Sequence, residues 1–419
     1  MTVVDQVSPR VPRALTVARG AVAVALAGTA FSPPLTNVGL FVLLLAFPLI
    51  PAARERLLHA LRTPLARAAL ALLGVLAIAM LWSNAPWPHR IDVLADWRTL
   101  PLMLLTLAVF DTAASKARLA FALVAVAAAG ALLSFGSVAF DRVVLTGWPP
   151  GVVFRNSSTQ SMVFVVGLTF ATVLAAWRGE SALSVPLRRV CAVAALLLFA
   201  NLLFVTYGRS GQVAALIIAG VLGLSLLRGR TRWATLVAVP AVALAVVASS
   251  AVIQQRFTLG WNEMQTVEAA PGVTSMGMRV VMWRTTVEVL KDSPWWGYGT
   301  GGFDAAYAAK TPHLNSGWRA TPTADPHNQY LYVWASAGVP GLLALLAFML
   351  AAVLQRADAP WRQVAVALLA AWSVTSLFSS HFQTFSEGHL IVLLLGVLLA
   401  PPMHQRGVNA ANTAASTSS

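Results

Sequence analysis

The sequence predicts an all-α, polytopic membrane protein, and three observations support this fold class. Hydrophobic residues make up 58% of the 419-residue chain and charged residues only 11%, whereas a soluble domain carries about 25% charged residues. The apolar runs are long enough to cross a bilayer as helices, which takes about 20 residues. They are also continuous, which excludes the alternating pattern of a membrane β-barrel.

Twelve apolar runs predict about twelve transmembrane helices. The first run ends in "ALAGTAF" but is expected to be retained, because an even number of spans places both polar termini on one side of the membrane. The predicted spans are residues 14–31, 35–51, 68–84, 98–114, 118–140, 158–177, 189–207, 211–228, 234–252, 330–354, 364–380 and 389–402.

These spans divide the chain into four parts. Residues 1–252 contain spans one to nine, and residues 330–402 contain spans ten to twelve. An insertion at 253–329 separates them, and a tail at 403–419 has the small polar residues of a disordered segment.

The formal net charge of +14 indicates topology rather than a nucleic-acid partner. With a cytoplasmic N-terminus, the segments on that side carry 18 of the 29 Lys and Arg but only five of the 15 Asp and Glu. Short cytoplasmic loops are enriched in Lys and Arg in this way. Both termini are therefore expected in the cytoplasm, and the insertion is expected on the opposite face.

The insertion is predicted to contain a short helix and a glycine-rich loop. The stretch "TSMGMRVVMWRTTVEVLKDSP" predicts a helix that Thr274 or Ser275 caps and that ends before Pro294. The next stretch, "PWWGYGTGGF", contains four glycines, which permit tight backbone turns. It follows a helix rather than a strand, so it is not a dinucleotide-binding loop. A flexible loop beside a site and a purely structural bend both remain open.

Two arginines on the outer side are candidates for binding an anion. Arg209 lies in the short break between two predicted spans, where a guanidinium near hydrocarbon is costly. Arg279, on the insertion helix, has no carboxylate three or four residues away and shares its face with Trp283. Arg284 has Glu288 four residues on and is expected to pair with it. The alternatives are an interfacial arginine on lipid phosphates for Arg209 and a solvated helix face for Arg279.

His327 lies in "ADPHNQYLYVW", a polar cluster at the start of the tenth span. Histidine titrates near neutral pH, so it can take a proton from a hydroxyl group. The alternative is a structural histidine that caps the span.

Two further sets of residues have weaker patterns. Asp92 and Asp96 are four residues apart and share a helix face, so together they could hold a divalent cation; salt bridges to the flanking Arg90 and Arg98 are the expected alternative. Arg155, in "GWPPGVVFRNSS", is another candidate anion contact. None of these stretches resembles a Walker loop, a HExxH zinc site or a serine triad, and no cofactor is expected.

Taken together, these stretches resemble the O-antigen ligase and O-antigen polymerase superfamily of bacterial inner membranes, over about residues 190–345. The order and spacing of three features carry the resemblance. The first is the Gly208-Arg209-Ser210 turn, where the family tends to have a serine before its arginine. The second is Arg279-x-x-x-Trp283 followed by Pro294 and "GYGTGGF". The third is His327-Asn328 leading into Gly338-Val339-Pro340-Gly341, where the family usually has a glycine-rich start to the next helix.

The resemblance implies a C-type glycosyltransferase-like fold in the inner membrane, with the active site facing the periplasm. For a ligase, it implies transfer of O-antigen polysaccharide from undecaprenyl diphosphate to lipid A–core oligosaccharide. Arg209 and Arg279 would bind the diphosphate, and His327 would act at the acceptor hydroxyl. No metal would be required, which makes Asp92 and Asp96 structural. The remaining candidate substrate-binding residues are Arg155, Trp283 and Asn328.

The expected chemistry is a single displacement that inverts the anomeric centre. Negative charge grows on the departing diphosphate, and arginine stays protonated and binds phosphate in a bidentate fork. An O-antigen polymerase and a protein O-oligosaccharyltransferase are alternatives with the same chemistry. A secondary transporter is less well supported, because transporters place ionisable residues near mid-span, whereas these predicted spans are almost free of charge.

Overall fold

A computed structural model of the protein describes residues 11–402 apart from residues 146, 180, 207, 250, 270 and 271. The described part is helical and contains no strand, which confirms the predicted all-α class. The helices are α1 (Arg13–Phe31), α2 (Pro33–Ala46), α3 (Ala53–Leu61), α4 (Pro64–Ala79), α5 (Trp87–Ala95), α6 (Thr99–Val109), α7 (Ala113–Ala139), α8 (Ser157–Ala176), α9 (Val185–Phe204), α10 (Arg209–Leu226), α11 (Arg230–Ser249), α12 (Ala251–Gln265), α13 (Ser275–Asp292), α14 (Phe303–Leu314), α15 (Gln329–Leu354), α16 (Trp361–Thr375) and α17 (Phe385–Leu398).

Seven of the described helices are long and apolar enough to span a bilayer: α1, α4 with the turn after it, α7, α8, α9, α10 and α15. The bent pair α2 and α3 makes an eighth if it counts as one span. These helices confirm a polytopic membrane protein but not the predicted count of twelve. The other predicted spans fall on α6, α11, α16 and α17, of which α6, α16 and α17 have only 11, 15 and 14 residues.

Helix α17 lies in the interior of the bundle. All of its residues from 386 to 398 are buried, and it packs against α1, α6, α8 and α16. Gly396 allows α6 to approach closely, because a Cβ there would lie 2.7 Å from the Met103 carbonyl oxygen. A short apolar helix is therefore shielded from lipid by longer neighbours.

Basic side chains link several helices at the end of the bundle that contains the C-terminus of α17. The buried Lys116 ammonium on α7 donates to the carbonyls of Leu398 and Ala400, at 3.2 and 2.8 Å. These carbonyls lack donors of their own at a helix C-terminus, where positive charge is favourable. Nearby, the Asp111 carboxylate accepts from Arg19 and Arg56 at 2.5 and 2.8 Å.

At the opposite end, two glycines bring α10 against α8. A Cβ on Gly208 would lie 2.5 Å from the Ser161 hydroxyl oxygen, and one on Gly211 would lie 2.6 Å from the Ser161 Cβ. The first turn of α10, which carries Arg209, therefore lies beside the first turn of α8.

The predicted insertion folds as α12, α13 and α14. As expected, Thr274 caps α13: its hydroxyl accepts from the Gly277 N–H at 3.1 Å. In the following glycine-rich loop, Gly297, Gly299 and Gly301 have φ of 64°, 78° and 82°, a region that favours glycine.

This loop packs against a kink in α15. The glycine-rich run at Gly338 does not start that helix, which begins at Gln329; instead Gly338, with φ 64°, breaks it. Across the kink, the Val339 N–H donates to the Trp295 carbonyl at 3.0 Å, and the Tyr298 N–H donates to the Ala335 carbonyl at 2.7 Å. The loop is therefore a structural bend that stabilises the kink in α15 through these two hydrogen bonds.

Candidate functional site

Arg209 and Arg279 line the same cavity, although they are 70 residues apart in the sequence. Its volume is about 540 Å³. Serine hydroxyls lie on one part of its wall, and apolar side chains on another. The lining residues are Ser157, Ser158, Gly208, Arg209, Ser210, Val213, Gly260, Trp261, Met264, Ser275, Met276, Arg279, Thr375 and Phe378, and we call this space the arginine cavity.

Three helix N-termini meet at the arginine cavity. The first two residues of α8, α10 and α13 all lie in its wall. The positive end of a helix dipole favours an anion. Asn156 and Thr274 already accept from one N–H each at α8 and α13. The N-cap of α10 is Gly208, which has no side chain to accept from the N–H groups of its helix. The backbone and the two guanidinium groups therefore favour the same charge.

The Arg279 guanidinium is held by the protein. Its Nε donates to the Phe378 carbonyl at 3.0 Å, and its Nη1 donates to the Ser275 hydroxyl at 2.9 Å and the Ser275 carbonyl at 3.2 Å. Within the described residues, Nη2 makes no hydrogen bond to the protein. One edge of the fork is fixed, and the other nitrogen is left to meet a ligand.

The electrostatics of the arginine cavity also point to an anion. Burial, and then the positive charge of Arg209, lower the pKa of Arg279, while Glu263 and Asp325 oppose the shift. Arginine nevertheless stays protonated in proteins. Over the described ranges, neither Arg209 nor Arg279 forms an ion pair with a carboxylate, and Glu263 is engaged with the Met276 N–H at 2.9 Å. Two neighbouring guanidinium groups without a counter-ion fit a ligand that carries more than one negative charge.

His327 lies in the loop before α15 and is not in the wall of the arginine cavity. Its φ of 51° is unusual for a residue with a side chain and costs about 1–3 kcal/mol. The turn is held by Asp325, whose Oδ1 accepts from the His327 N–H at 2.8 Å. The imidazole is about half exposed, at 45%, so a substrate can reach it.

Residues 376–384, which we call the linking loop, connect the His327 loop with Arg279. This loop joins α16 to α17, and both site segments form hydrogen bonds with it. The contacts are Arg279 Nε to Phe378 O (3.0 Å), Asn328 Nδ2 to Leu377 O (3.1 Å), Ser380 Oγ to Asp325 Oδ1 (2.6 Å) and Phe382 N to Gln329 Oε1 (2.8 Å). The sequence reasoning missed this loop, although the polar run "SSHFQTFSE" between two apolar runs is a signal for it.

The linking loop also carries a buried histidine. His381 is 1% exposed, and neither ring nitrogen has a hydrogen-bond partner among the described residues. Burial lowers the pKa of His381, which Glu387 and Asp325 counteract and Arg279 and His327 reinforce. The imidazole of His381 is therefore close enough to Arg279 and to His327 for the charge of each to affect its pKa.

A second, acidic cavity of about 350 Å³ has Asp325 in its wall. Asp92 and Asp96, which the sequence places on one face, both line it. Its wall comprises His89, Asp92, Val93, Asp96, Gly301, Phe303, Asp304, Ala324, Asp325, Tyr332 and Gln383. Burial, together with the Asp92 charge, raises the pKa of Asp96, and Arg98 opposes the shift.

The expected salt bridges from Arg90 and Arg98 to these two aspartates are not formed. Arg90 donates to the carbonyls of Ala85 and Met80, and Arg98 donates to the Ala95 carbonyl. Among the residues that the structure describes, no three His, Cys, Asp or Glu side chains are grouped so that they could hold a metal ion.

The other sequence candidates lie near the site with structural contacts of their own. The Trp283 ring packs on Phe378, with ring centroids 5.6 Å apart, and Asn328 caps α15. Arg155 donates to the Ser386 hydroxyl at 3.1 Å and does not line the arginine cavity. The expected pair of Arg284 with Glu288 is wrong. Arg284 binds Glu268 at 2.8 Å, and Glu288 binds Lys291.

The fold and the site define a polytopic, all-α membrane protein with two arginines in one cavity at one end of its bundle. Residues 193–346, which include Arg209, Arg279 and His327, match the protein family described as O-Antigen ligase. This match supports the O-antigen ligase and polymerase superfamily, whose members are glycosyltransferase-like membrane enzymes.

One relative, an uncharacterized protein of Haemophilus influenzae, is 30% identical over 77 residues. The matched segment covers 18% of this chain and 19% of the relative, so the similarity extends over about a fifth of that protein's length.

Proposed function

We propose that this protein is an O-antigen ligase of the bacterial inner membrane. It transfers polysaccharide from undecaprenyl diphosphate to lipid A–core oligosaccharide on the periplasmic face. The observation that carries the proposal is the arginine cavity, where Arg209 and Arg279 lie together with the N-termini of three helices. A diphosphate is a ligand with the charge and the acceptor oxygens that such a cavity favours.

The arginine cavity has a polar part and an apolar part to its wall, and each suits one part of the proposed donor. Its diphosphate binds at the guanidinium groups and the serine hydroxyls. Its polyprenyl chain leaves along Val213, Trp261 and Met264, the apolar part of the wall, toward the membrane. Of these, Trp261 is 58% exposed, as expected for a side chain that meets lipid.

In the proposed mechanism, His327 takes the proton from the acceptor hydroxyl. The freed oxygen attacks the anomeric carbon as the bond between that carbon and the diphosphate oxygen breaks, which inverts the centre. Arg209 and Arg279 stabilise the charge that develops on the leaving diphosphate. The acceptor sugar approaches through the acidic cavity, whose carboxylates accept hydrogen bonds from sugar hydroxyls and whose Phe303 offers an apolar ring face.

This mechanism uses no metal ion. Arg209 and Arg279 supply the positive charge that a divalent cation supplies in other phosphate-dependent enzymes. Full transfer in the presence of a chelator is expected, and loss of transfer that Mg²⁺ or Mn²⁺ restores would contradict it.

An O-antigen polymerase and a protein O-oligosaccharyltransferase remain second candidates, because the donor site serves all three reactions equally. The acceptor alone separates them. A secondary transporter is disfavoured because Arg209, Arg279 and His327 collect at one end of the bundle rather than at mid-span.

The test is a purified reaction with lipid-linked polysaccharide and one candidate acceptor at a time. The expected product is polysaccharide on lipid A–core; a longer lipid-linked polymer or a glycosylated protein would assign the chain to one of the other reactions. His327→Ala should fold but lose about 10²–10⁴ of the rate, the usual contribution of a positioned base. His313→Ala, which changes an exposed histidine on α14, serves as the matched control.

A further inference from the structure

The loop geometry points to Asp325 as a positioning residue for His327, and this inference rests on the proposed function. We infer that the Asp325 carboxylate orients the His327 imidazole, so that Nδ1 carries its proton toward Asp325 and Nε2 is left to accept the proton of the acceptor hydroxyl. The sequence pattern gave Asp325 no role beyond membership of a polar cluster.

The two oxygens of Asp325 have different surroundings. Oδ1 accepts from the His327 backbone N–H at 2.8 Å and from the Ser380 hydroxyl at 2.6 Å. Oδ2 lies 3.7 Å from the His327 Nδ1. The first oxygen therefore fixes the carboxylate, and the second faces the imidazole. Catalytic hydrogen bonds often reach their full alignment only in the complex with substrate.

The backbone around Asp325 supports the same geometry. The Thr323 hydroxyl donates to the Asp325 carbonyl at 2.9 Å and accepts from the Asp325 N–H at 3.2 Å. His327 adopts its left-handed conformation directly after this turn. That conformation brings the imidazole back over the carboxylate two residues earlier, which an extended backbone would not do.

A carboxylate next to one imidazole nitrogen sets the tautomer and stabilises the imidazolium that forms during proton transfer. Asp325 is suited to this because it also lines the acidic cavity, through which the acceptor approaches. The charge of Asp325 also acts on Arg279 from α13, His381 from the linking loop and Tyr332 from α15. The other titratable groups around Asp325 line the acidic cavity with it: His89, Asp92, Asp96 and Asp304.

The activity test is Asp325→Asn, which keeps an oxygen to accept from the His327 N–H and Ser380 but removes the charge. We expect kcat to fall at least about tenfold, with little change in KM for the acceptor. In a His327→Ala background the same substitution should cost less than about threefold, because the two residues act as a unit. Asp325→Glu should restore part of the rate. Equal losses in the two backgrounds would overturn the inference.

A second measurement does not depend on glycan transfer. The acylation of His327 by diethyl pyrocarbonate is followed over time at one alkaline pH by mass spectrometry, since fragment 320–356 contains no other histidine. A carboxylate that accepts from Nδ1–H increases the nucleophilicity of Nε2, and an amide does so less. The acylation of His327 should therefore be slower in Asp325→Asn.

The matched control for acylation is Asp292→Asn, which changes an exposed aspartate bound to Lys310 at 2.6 Å. Its curve should coincide with that of the unmodified protein. An Asp325→Asn curve that also coincides would overturn the positioning role. If the unmodified protein transfers glycan to no acceptor, the proposed function fails while the acylation curve still decides the role of Asp325.

Discussion

At the residue scale, the most informative side chain is Arg279, because hydrogen bonds within the protein hold its guanidinium in place. Two of its nitrogens bind Phe378 and Ser275, and these contacts fix the plane of the guanidinium. A fixed donor needs no reorganisation when charge develops on a leaving group, which is the basis of electrostatic catalysis.

Arg279→Lys tests this fixed fork. Lysine keeps the positive charge but cannot bind the Phe378 carbonyl and Ser275 while a further fixed nitrogen meets the ligand. We expect turnover to fall by about a hundred- to a thousandfold, the usual cost of losing one preorganised donor. The measurement is kcat with saturating donor, and Arg284→Lys on the exposed side of α13 is the control. Unchanged turnover in Arg279→Lys would show that the fixed guanidinium is not needed for catalysis.

His381 leads to a prediction about acid stability. Because burial lowers its pKa in the folded protein, the unfolded chain binds a proton first, at about pH 6.5. The folded state is therefore destabilised as the pH falls below that value, by at most about 1.4 kcal/mol per pH unit. His381→Asn should flatten the pH dependence of the thermal midpoint between pH 7 and pH 5. The exposed-site control His313→Asn should leave this pH dependence unchanged. If His381→Asn also leaves it unchanged, the prediction is wrong.

At the element scale, the contact between α8 and α10 decides where Arg209 lies. Gly208 and Gly211 leave no room for a side chain against Ser161. The approach of these two helices also brings two of the three N-termini to the arginine cavity.

Gly211→Ala should separate these helices. The added Cβ meets the Ser161 Cβ at 2.6 Å and the Ser161 carbonyl oxygen at 3.0 Å, so backbone must move. We expect a loss of about 1–3 kcal/mol in stability, typical of overpacking, together with weaker donor binding, measured by thermal unfolding and by KM.

Gly220→Ala on the same helix is the control, since nothing lies within 4 Å of its Cβ position. It should be neutral or stabilising by up to about 1 kcal/mol. Equal effects of the two substitutions would show that helix propensity, rather than close packing, governs this position.

Local sequence patterns predicted the elements whose start and end are set by residues within the element or next to it. Thr274 and Pro294 bracket α13 in the sequence and in the structure, because a cap and a stop act within one turn. Arg284 was assigned the wrong partner, since a tertiary contact with Glu268 replaced the i,i+4 pair. The linking loop matters through contacts with residues about 50 to 100 positions away in the chain, which spacing alone does not reveal.

At the scale of the whole molecule, the sequence predicted a membrane bundle, but it placed spans on helices that are too short to cross alone. Apolar composition shows that a segment avoids water. It does not show whether lipid or protein surrounds it, and α17 is surrounded by protein.

Lys116→Met tests how the far end of the bundle is held. The substitution keeps an apolar stem of similar length but leaves the buried carbonyls of Leu398 and Ala400 without a donor. An unpaired buried carbonyl costs about 1–3 kcal/mol, so a lower thermal midpoint is expected. Arg118→Met, at an exposed position of α7, should change it little. A midpoint equal to that of the unmodified protein would show that the ammonium stabilises nothing there.

The burial of α17 has a consequence for biosynthesis. It is the last helix of the described chain to emerge from the ribosome, yet it fills the centre that α1, α6, α8 and α16 surround. The Thr159 hydroxyl on α8 can therefore donate to Glu387, at 2.9 Å, only once α17 has been made. The bundle is therefore completed only after α17 has been synthesised.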